Sequence, residues 1–393
     1  MAVGCSVGSG RAEFKTPARS AFLIDVASGM EIVAKGADDL MPPSSMLKLM
    51  TLAMVFDAVK SGKLKPDEMM PVSDNADHRN PVWAPASKIC LTRGQKISVD
   101  EAIMGLIVMS GGDAGVVAAE YLAGSESAFV AQMQARAREI GMPQSTFGNV
   151  SGLPHPNNMM TSRELARLAE YLITNHSQFY PLFATRRFEF TRYETEWCAK
   201  WGSLHKISYN KLLFMMNGAD GMKTGRTAEG GFGMVASSSI GGRRLIGVIN
   251  GLKATNHDAL AREMKKLLEH GYATTSNRVF FNPGDTVATV PVWYGRKDSV
   301  DATVAKTFAV TLPRGKDGAV STDGVRVTAK YKKPVRAPIR AGDVIGEITA
   351  VRDDQIIARA PLIAKADVGR VWFFGRIAKN LGIIFGGKAA KGD

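Results

Sequence analysis

The 393-residue sequence predicts an α/β domain, then a small all-β domain, then a C-terminal amphipathic helix. Three observations predict it. Strand-like segments lie at both ends of the first stretch of about 270 residues and enclose a helical middle, so one sheet built from both ends with helices packed on it would result. After about residue 275, short alternating runs separated by Pro, Gly and Asp replace the helical spacing. Across 369–385, Val371, Phe374, Ile377, Leu381 and Ile384 share one helical face, and Arg376, Lys379 and Asn380 share another.

Taken in order, 21–26 and 30–33 flank Ala27-Ser28-Gly29 and read as a β-hairpin. Pro42-Pro43-Ser44 opens a helical pattern over 46–59 that Ser61-Gly62 ends. Residues 66–99 are mixed and rich in Pro, Asp and Asn. Helical spacing returns over 99–109, breaks at Ser110-Gly111-Gly112 and resumes over 113–122. Further helices are expected at 126–140 and 162–174. Residues 235–238 and 244–249 read as paired strands joined through Gly241-Gly242, with Lys223-Thr224-Gly225 where the first is entered. An amphipathic helix over 257–270 is stopped by Gly271. Runs at 286–290, 308–312, 325–331 and 356–360 supply the strands of the second domain.

Composition excludes several classes. The chain is 45% hydrophobic and 22% charged, as ordinary globular proteins are. Lys and Arg outnumber Asp and Glu by 50 to 37, a formal net charge of +13. No nucleic-acid motif accompanies that charge, and aromatics do not alternate with the basic residues as a stacking platform requires. No nucleic-acid partner is expected. A solvated basic surface is the plain explanation, and attraction to a polyanionic envelope or membrane surface is the functional one. Cys5, Cys90 and Cys198 are too few and too far apart for a disulfide framework or a zinc site, and the six histidines are scattered. Neither a metal nor a cofactor is expected. No stretch reaches the ~20 apolar residues of a membrane span, and residues 1–11 lack the basic start and apolar run of a complete secretory signal.

Three short motifs carry the chemistry: Ser45-Met46-Leu47-Lys48, Ser110-Gly111-Gly112 and Lys223-Thr224-Gly225. A serine hydroxyl is a poor nucleophile until something removes its proton. Lys48, three residues on, shares a helix face with Ser45. Its amine must be neutral near pH 7, and burial beside Met46, Leu47 and Leu49, with Lys223 as a second cation nearby, would depress its pKa. In the first helical turn, free N–H groups and the dipole would favour an oxyanion at Ser45. Singly, each motif has a plainer explanation: helix capping by Ser44 and Ser45, a turn at Ser110, an exposed strand end at Lys223. Ser208-Tyr209-Asn210-Lys211 also fits Ser-x-x-Lys, which shows how cheaply that pattern arises. The order of all three, each on its proper element, outweighs those explanations.

These motifs sit within longer segments: Met41-Pro42-Pro43-Ser44-Ser45-Met46-Leu47-Lys48-Leu49-Met50, Gly105-Leu106-Ile107-Val108-Met109-Ser110-Gly111, Asn149-Val150-Ser151-Gly152-Leu153-Pro154 and Asp220-Gly221-Met222-Lys223-Thr224-Gly225. Together they resemble the low-molecular-mass penicillin-binding proteins, the serine-type D-alanyl-D-alanine carboxypeptidases typified by penicillin-binding protein five. The resemblance runs from about residue 18 to the end. It implies a catalytic domain over 12–272 with the penicillin-recognising, β-lactamase-like αβα fold, an antiparallel sheet with helices on both faces. A β-rich domain over 278–366 and an amphipathic membrane-anchoring helix and tail over 367–393 would follow. It further implies a periplasmic enzyme attached peripherally to the inner-membrane lipid surface. The substrate would be peptidoglycan stem pentapeptides ending in D-Ala-D-Ala, with β-lactams as covalent inhibitors. By the same resemblance Ser45 is the acylated nucleophile, Lys48 its base, and Ser110 the relay to the leaving amine. Lys223 supplies positive potential, Thr224 and Arg226 hold the terminal carboxylate, Gly225 completes the third motif, and the N–H groups of Ser45 and Arg226 form the oxyanion hole.

Two departures stand out. Gly112 occupies the place of the asparagine in the family's Ser-x-Asn, and losing a positioned donor can cost ~10²–10³ in rate. Arg226 stands where the carboxypeptidases commonly carry histidine, a mild change because its planar fork pairs with carboxylates. Gly112 motivates the alternative of a catalytically weakened homologue that binds peptidoglycan or envelope partners without efficient turnover. Asn149 is a candidate to compensate. A class A β-lactamase is disfavoured: no deacylating glutamate with the right surround lies at 150–180, where Glu164 falls inside a helical run, and 275–393 would be unexplained.

Overall fold

In the computed structural model, which describes residues 14–84, 86–190, 207–315 and 317–372, both ends of the α/β region do enter one sheet. Strands β1 (Ser20–Asp25) and β2 (Glu31–Lys35) form the expected hairpin. Short strands β3 (Met69–Pro71) and β4 (Lys96–Ser98) pair separately. Strands β5 (Ala219–Thr227), β6 (Gly231–Ile240) and β7 (Arg243–Leu252) complete an antiparallel sheet in the order β2-β1-β7-β6-β5.

The two-residue period of the strands splits their apolar side chains between two cores. Phe22, Val235, Ile246 and Val248 join a large core with helices α1 (Lys48–Lys60), α2 (Val99–Met104), α3 (Gly112–Ala123), α4 (Glu126–Ile140) and α5 (Ser162–Asn175). A short helix, α6 (Leu212–Met215), precedes β5. Leu23, Met234, Leu245 and Ile249 face the other way and pack on Leu260, Met264, Leu267 and Leu268 of helix α7 (His257–Thr274). Helices therefore cover both faces.

Four expectations change at their edges. The helix expected over 46–59 begins as a 3₁₀ turn, Ser44–Leu47, before α1. The helix expected over 99–109 is α-helical only to Met104 and widens into a π-helical turn, Gly105–Met109. Lys223-Thr224-Gly225 belongs to its own edge strand, β5, rather than to the entry of β6. Gly271 does not stop α7. A Cβ there would stand 2.7 Å from Leu23 Cδ2 and 2.8 Å from Leu245 Cδ1, so this glycine serves close helix–sheet approach, not termination.

The chain forms two compact units, residues 12–26 with 31–273, and residues 27–30 with 274 onward. The second unit is all-β. Its six-stranded sheet runs β12-β14-β15-β10-β9-β13, with β8 and β11 paired separately. These strands are β8 (Thr275–Phe281), β9 (Ala288–Trp293), β10 (Ser299–Val304), β11 (Phe308–Pro313), β12 (Arg326–Tyr331), β13 (Val335–Arg336), β14 (Val344–Arg352) and β15 (Gln355–Ala364). Val290, Val310, Ile348 and Leu362 lie in its core. Cys90 is disulfide-bonded, where the sequence suggested no stapling; Cys5 and Cys198 lie outside the described residues. So does most of the helix expected over 369–385. Among the described residues no helix is long and apolar enough to cross a membrane, and no cluster of side chains could hold a metal ion.

Candidate active site

The turn at Ser44–Leu47 delivers Ser45 to the mouth of α1, with Lys48 as the helix's first residue. Lys48 is 2% exposed. Its Nζ donates to Ser45 Oγ at 2.8 Å and to the carbonyl of Ser151. That carbonyl sits in a turn held by Asn149, whose Oδ1 accepts from the N–H of Gly152 at 2.8 Å and of Ser151 at 3.2 Å. Asn149 Nδ2 donates to the Leu153 carbonyl at 3.1 Å. The Asn149 amide is thus committed to its own turn and is not the missing motif amide.

The second motif is shaped by the helix before it. A capping box fixes the start of α2: Ser98 Oγ accepts from the Glu101 N–H and the Glu101 carboxylate accepts from the Ser98 N–H. The π turn then ends in Ser110, whose left-handed φ of 58° turns the chain sharply. Such π turns are frequent at functional sites. Ser110 Oγ accepts from Lys223 Nζ at 2.9 Å. The third motif thereby meets the second. Lys223 is 2% exposed and also donates to the Thr224 carbonyl at 3.1 Å. Gly225 lets β5 lie against the Ser44–Leu47 turn, because a Cβ there would be 2.9 Å from the Pro43 carbonyl oxygen and 3.1 Å from the Ser45 nitrogen. Thr224 is buried, whereas Arg226 is exposed with its guanidinium 5.2 Å from the ring centre of its cross-strand neighbour Phe232.

Electrostatics suit proton transfer. Burial lowers Lys48 from 10.5 to about 7, and the Asp113 carboxylate opposes that shift. Lys223 is held well below its ordinary value by burial and then by the charge of Lys48. The sequence assigned part of the Lys48 shift to Lys223; burial is the leading cause at both amines, and the repulsion falls on Lys223. Asp113 was passed over in the sequence. Its buried carboxylate accepts from the N–H groups of Ile89 at 3.0 Å, Leu91 at 3.2 Å and Ala114 at 3.0 Å, and burial raises its pKa against those bonds. An aspartate directly after a serine-glycine turn was the available signal; the Ser151 carbonyl, being backbone, had none. The decoy Ser208-x-x-Lys211 forms no pair: Ser208 Oγ accepts from the Asn210 N–H, and Lys211 Nζ lies 5.6 Å from the Phe214 ring centre.

The arrangement brings two serine hydroxyls, each on a lysine amine, to one buried centre. Comparison with known proteins identifies the family. A family model for D-alanyl-D-alanine carboxypeptidase matches residues 9–256, and one for the penicillin-binding protein 5 C-terminal domain matches 276–370. D-alanyl-D-alanine carboxypeptidase DacC of Escherichia coli is 32% identical over 363 residues, 92% of this chain and 86% of that protein. DacD of Salmonella typhimurium is 30% identical over 91% of this chain and 87% of its own length. The structure of penicillin binding protein 5 from Haemophilus influenzae superposes with a TM-score of 0.79 at 29% identity, covering 92% of this chain and all of that one. Penicillin-binding protein D2 from Listeria monocytogenes in its cefotaxime-bound form covers 67% of this chain and all of its own, with a TM-score of 0.58 at 26% identity. The chain belongs to the D-alanyl-D-alanine carboxypeptidase family, the penicillin-binding proteins of the type-five kind.

Proposed function

We infer that this chain is a serine-type D-Ala-D-Ala carboxypeptidase that removes the terminal D-alanine from peptidoglycan stem pentapeptides through a Ser45 acyl-enzyme, and that β-lactams acylate the same serine. The observation that carries this is the 2.8 Å bond from a buried Lys48, brought to about 7, to Ser45 Oγ. Neutral Lys48 takes the Ser45 proton as Oγ attacks the carbonyl of the penultimate D-alanine. The N–H groups of Ser45 and Arg226 receive the oxyanion. As the intermediate collapses, the C–N bond breaks and the departing D-alanine amine gains a proton through Ser110, which Lys223 holds by its 2.9 Å bond. Thr224 and Arg226 bind the terminal carboxylate. Water, deprotonated by Lys48, then attacks the ester and frees Ser45.

The weakened-homologue reading rested on Gly112 alone, and the complete Ser45–Lys48 and Ser110–Lys223 pairs speak for turnover. The Cys90 disulfide supports an oxidising compartment, here the periplasm. The net charge of +13 and the apolar face of 369–385 support peripheral attachment to the anionic inner-membrane surface through the C-terminal segment. Release of D-alanine from a synthetic pentapeptide ending in D-Ala-D-Ala tests the activity. Release is expected from the parent and not from Ser45→Ala; no release from the folded parent sinks the reading.

A further inference from the structure

Gly112 is the one place where the second motif departs from its family pattern, and the structure shows what fills the space. A Cβ built on Gly112 would lie 2.6 Å from Cζ3 and 3.2 Å from Cη2 of Trp83, and 3.1 Å from Cβ of Ser151. The indole edge and Ser151 close on the same point, so residue 112 has no room for a side chain. Trp83 is 2% exposed and firmly held. Its Nε1 donates to the Asn75 carbonyl at 2.8 Å, its N–H donates to the Asn80 carbonyl at 2.9 Å, and its carbonyl accepts from Lys88 Nζ at 2.6 Å. The segment that carries it is zipped to the motif turn. The Gly112 N–H donates to the Ser87 carbonyl at 2.9 Å, and the Ile89 and Leu91 N–H groups converge on Asp113. Immediately beyond the contact stand both working pairs. Ser151 offers its carbonyl to Lys48, and Ser110, two residues before Gly112, accepts from Lys223.

We propose that Trp83 is a positioning residue for this reaction: packed on Gly112, it locks the Ser110 turn and the Ser151 carbonyl, and through them holds Ser110 and Lys48 in line for proton transfer. Trp83 and Gly112 are then a matched pair. A large ring and an absent side chain replace the smaller arrangement that a motif asparagine would require, so restoring asparagine alone gains nothing. The proposal rests on the assignment of Lys48 and Ser110 to proton transfer. It differs from a purely structural role for Trp83 because it predicts effects on kcat and on its pH dependence. Water admitted beside Lys48 would relieve its desolvation and raise its pKa.

The test is steady-state D-alanine release across pH for the parent, Trp83→Leu, Gly112→Ala and the double variant, with unfolding temperatures measured alongside. Trp83→Leu is expected to lower kcat about tenfold, as small misplacements of reacting groups do, with KM changed less and the acid limb of kcat/KM moved to higher pH. Gly112→Ala is expected to lower kcat, and Gly112→Asn more so, because each pushes against the indole. The double variant Trp83→Leu/Gly112→Ala is expected to recover activity above the worse single variant, since the methyl enters the space the ring leaves. Trp83→Leu with parental kcat and an unmoved acid limb overturns the proposal, as does a double variant no better than the worse single. If Trp83→Leu fails to fold, Gly112→Ala decides: unchanged kcat and pH profile there overturn it too. A folded parent without activity would instead defeat the assigned reaction, a separate outcome.

Discussion

Lys48 is kept neutral enough to accept a proton by the same burial that makes it costly to fold. In the unfolded chain its amine has the ordinary value of 10.5, and in the folded enzyme about 7. Between those values the unfolded state binds the extra proton, so this group's contribution to stability rises with pH across that window and is unfavourable below it. Two outcomes follow at neutral pH. Lys48→Met is expected to abolish D-alanine release, a loss of at least ~10² in rate, while raising Tm by ~2–4 °C or more. In the parent, kcat/KM is expected to rise with pH through about 7 as the free amine forms, and to level off above. A Lys48→Met enzyme that is inactive but less stable than the parent, or an acid limb far from 7, would contradict this account. Burial sets the fall of the Lys48 amine, and the Asp113 carboxylate opposes it.

At the scale of elements, the packing of α7 on the sheet turns on Gly271. Leu23 of β1 and Leu245 of β7 occupy the space a Cβ at this position would need. Gly271→Val is therefore expected to cost ~1–3 kcal/mol by overpacking, read as a Tm lower by roughly 2–12 °C, with kcat per folded enzyme unchanged because α7 packs on the face away from Ser45. An unchanged Tm would show that the helix shifts freely. The same glycine marks what was legible in the sequence. Its helix was read correctly from apolar spacing, but a glycine near a helix end signals termination and close packing alike, and only the sheet's position separates them. The pairing of Ser45 with Lys48 was legible because three-residue spacing puts both on one face of a helical turn, whereas the strand that carries Lys223 was not, because its short polar motif reads as the approach to β6. The π turn at Gly105–Met109 was not, since all five of its residues are buried and continue the apolar run of the helix before them, with nothing to mark the wider turn. Nor was the Trp83–Gly112 contact, which joins a proline-rich loop to a turn that shares no local pattern with it.

Considering the molecule as a whole, attachment through the C-terminal segment is expected to be electrostatic as well as apolar. Six Lys or Arg against two Asp lie in residues 365–393, and each basic residue near an anionic surface contributes on the order of 1 kcal/mol. The full chain is expected to sediment with vesicles containing phosphatidylglycerol and to release progressively as salt rises from 50 to 500 mM (roughly, a Debye length falling from above 10 Å to a few Å). A chain ending at residue 366 is expected to remain in the supernatant with its D-alanine release intact. Equal binding by both forms would remove the anchor from the account.

The position of β1, between β2 and the central strand β7, has a bearing on how the protein is made. Its partner β7 pairs Ser20 with Asn250 and Asp25 with Leu245, roughly 230 residues further along the chain. A chain synthesised or threaded amino-terminus first can form β1 and β2 as a hairpin early, but an isolated hairpin is marginal in water. The sheet cannot close until β7 has emerged, so cooperative folding is deferred almost to the end of the first unit. That delay keeps most of its length unfolded, the state in which a narrow conduit can pass it.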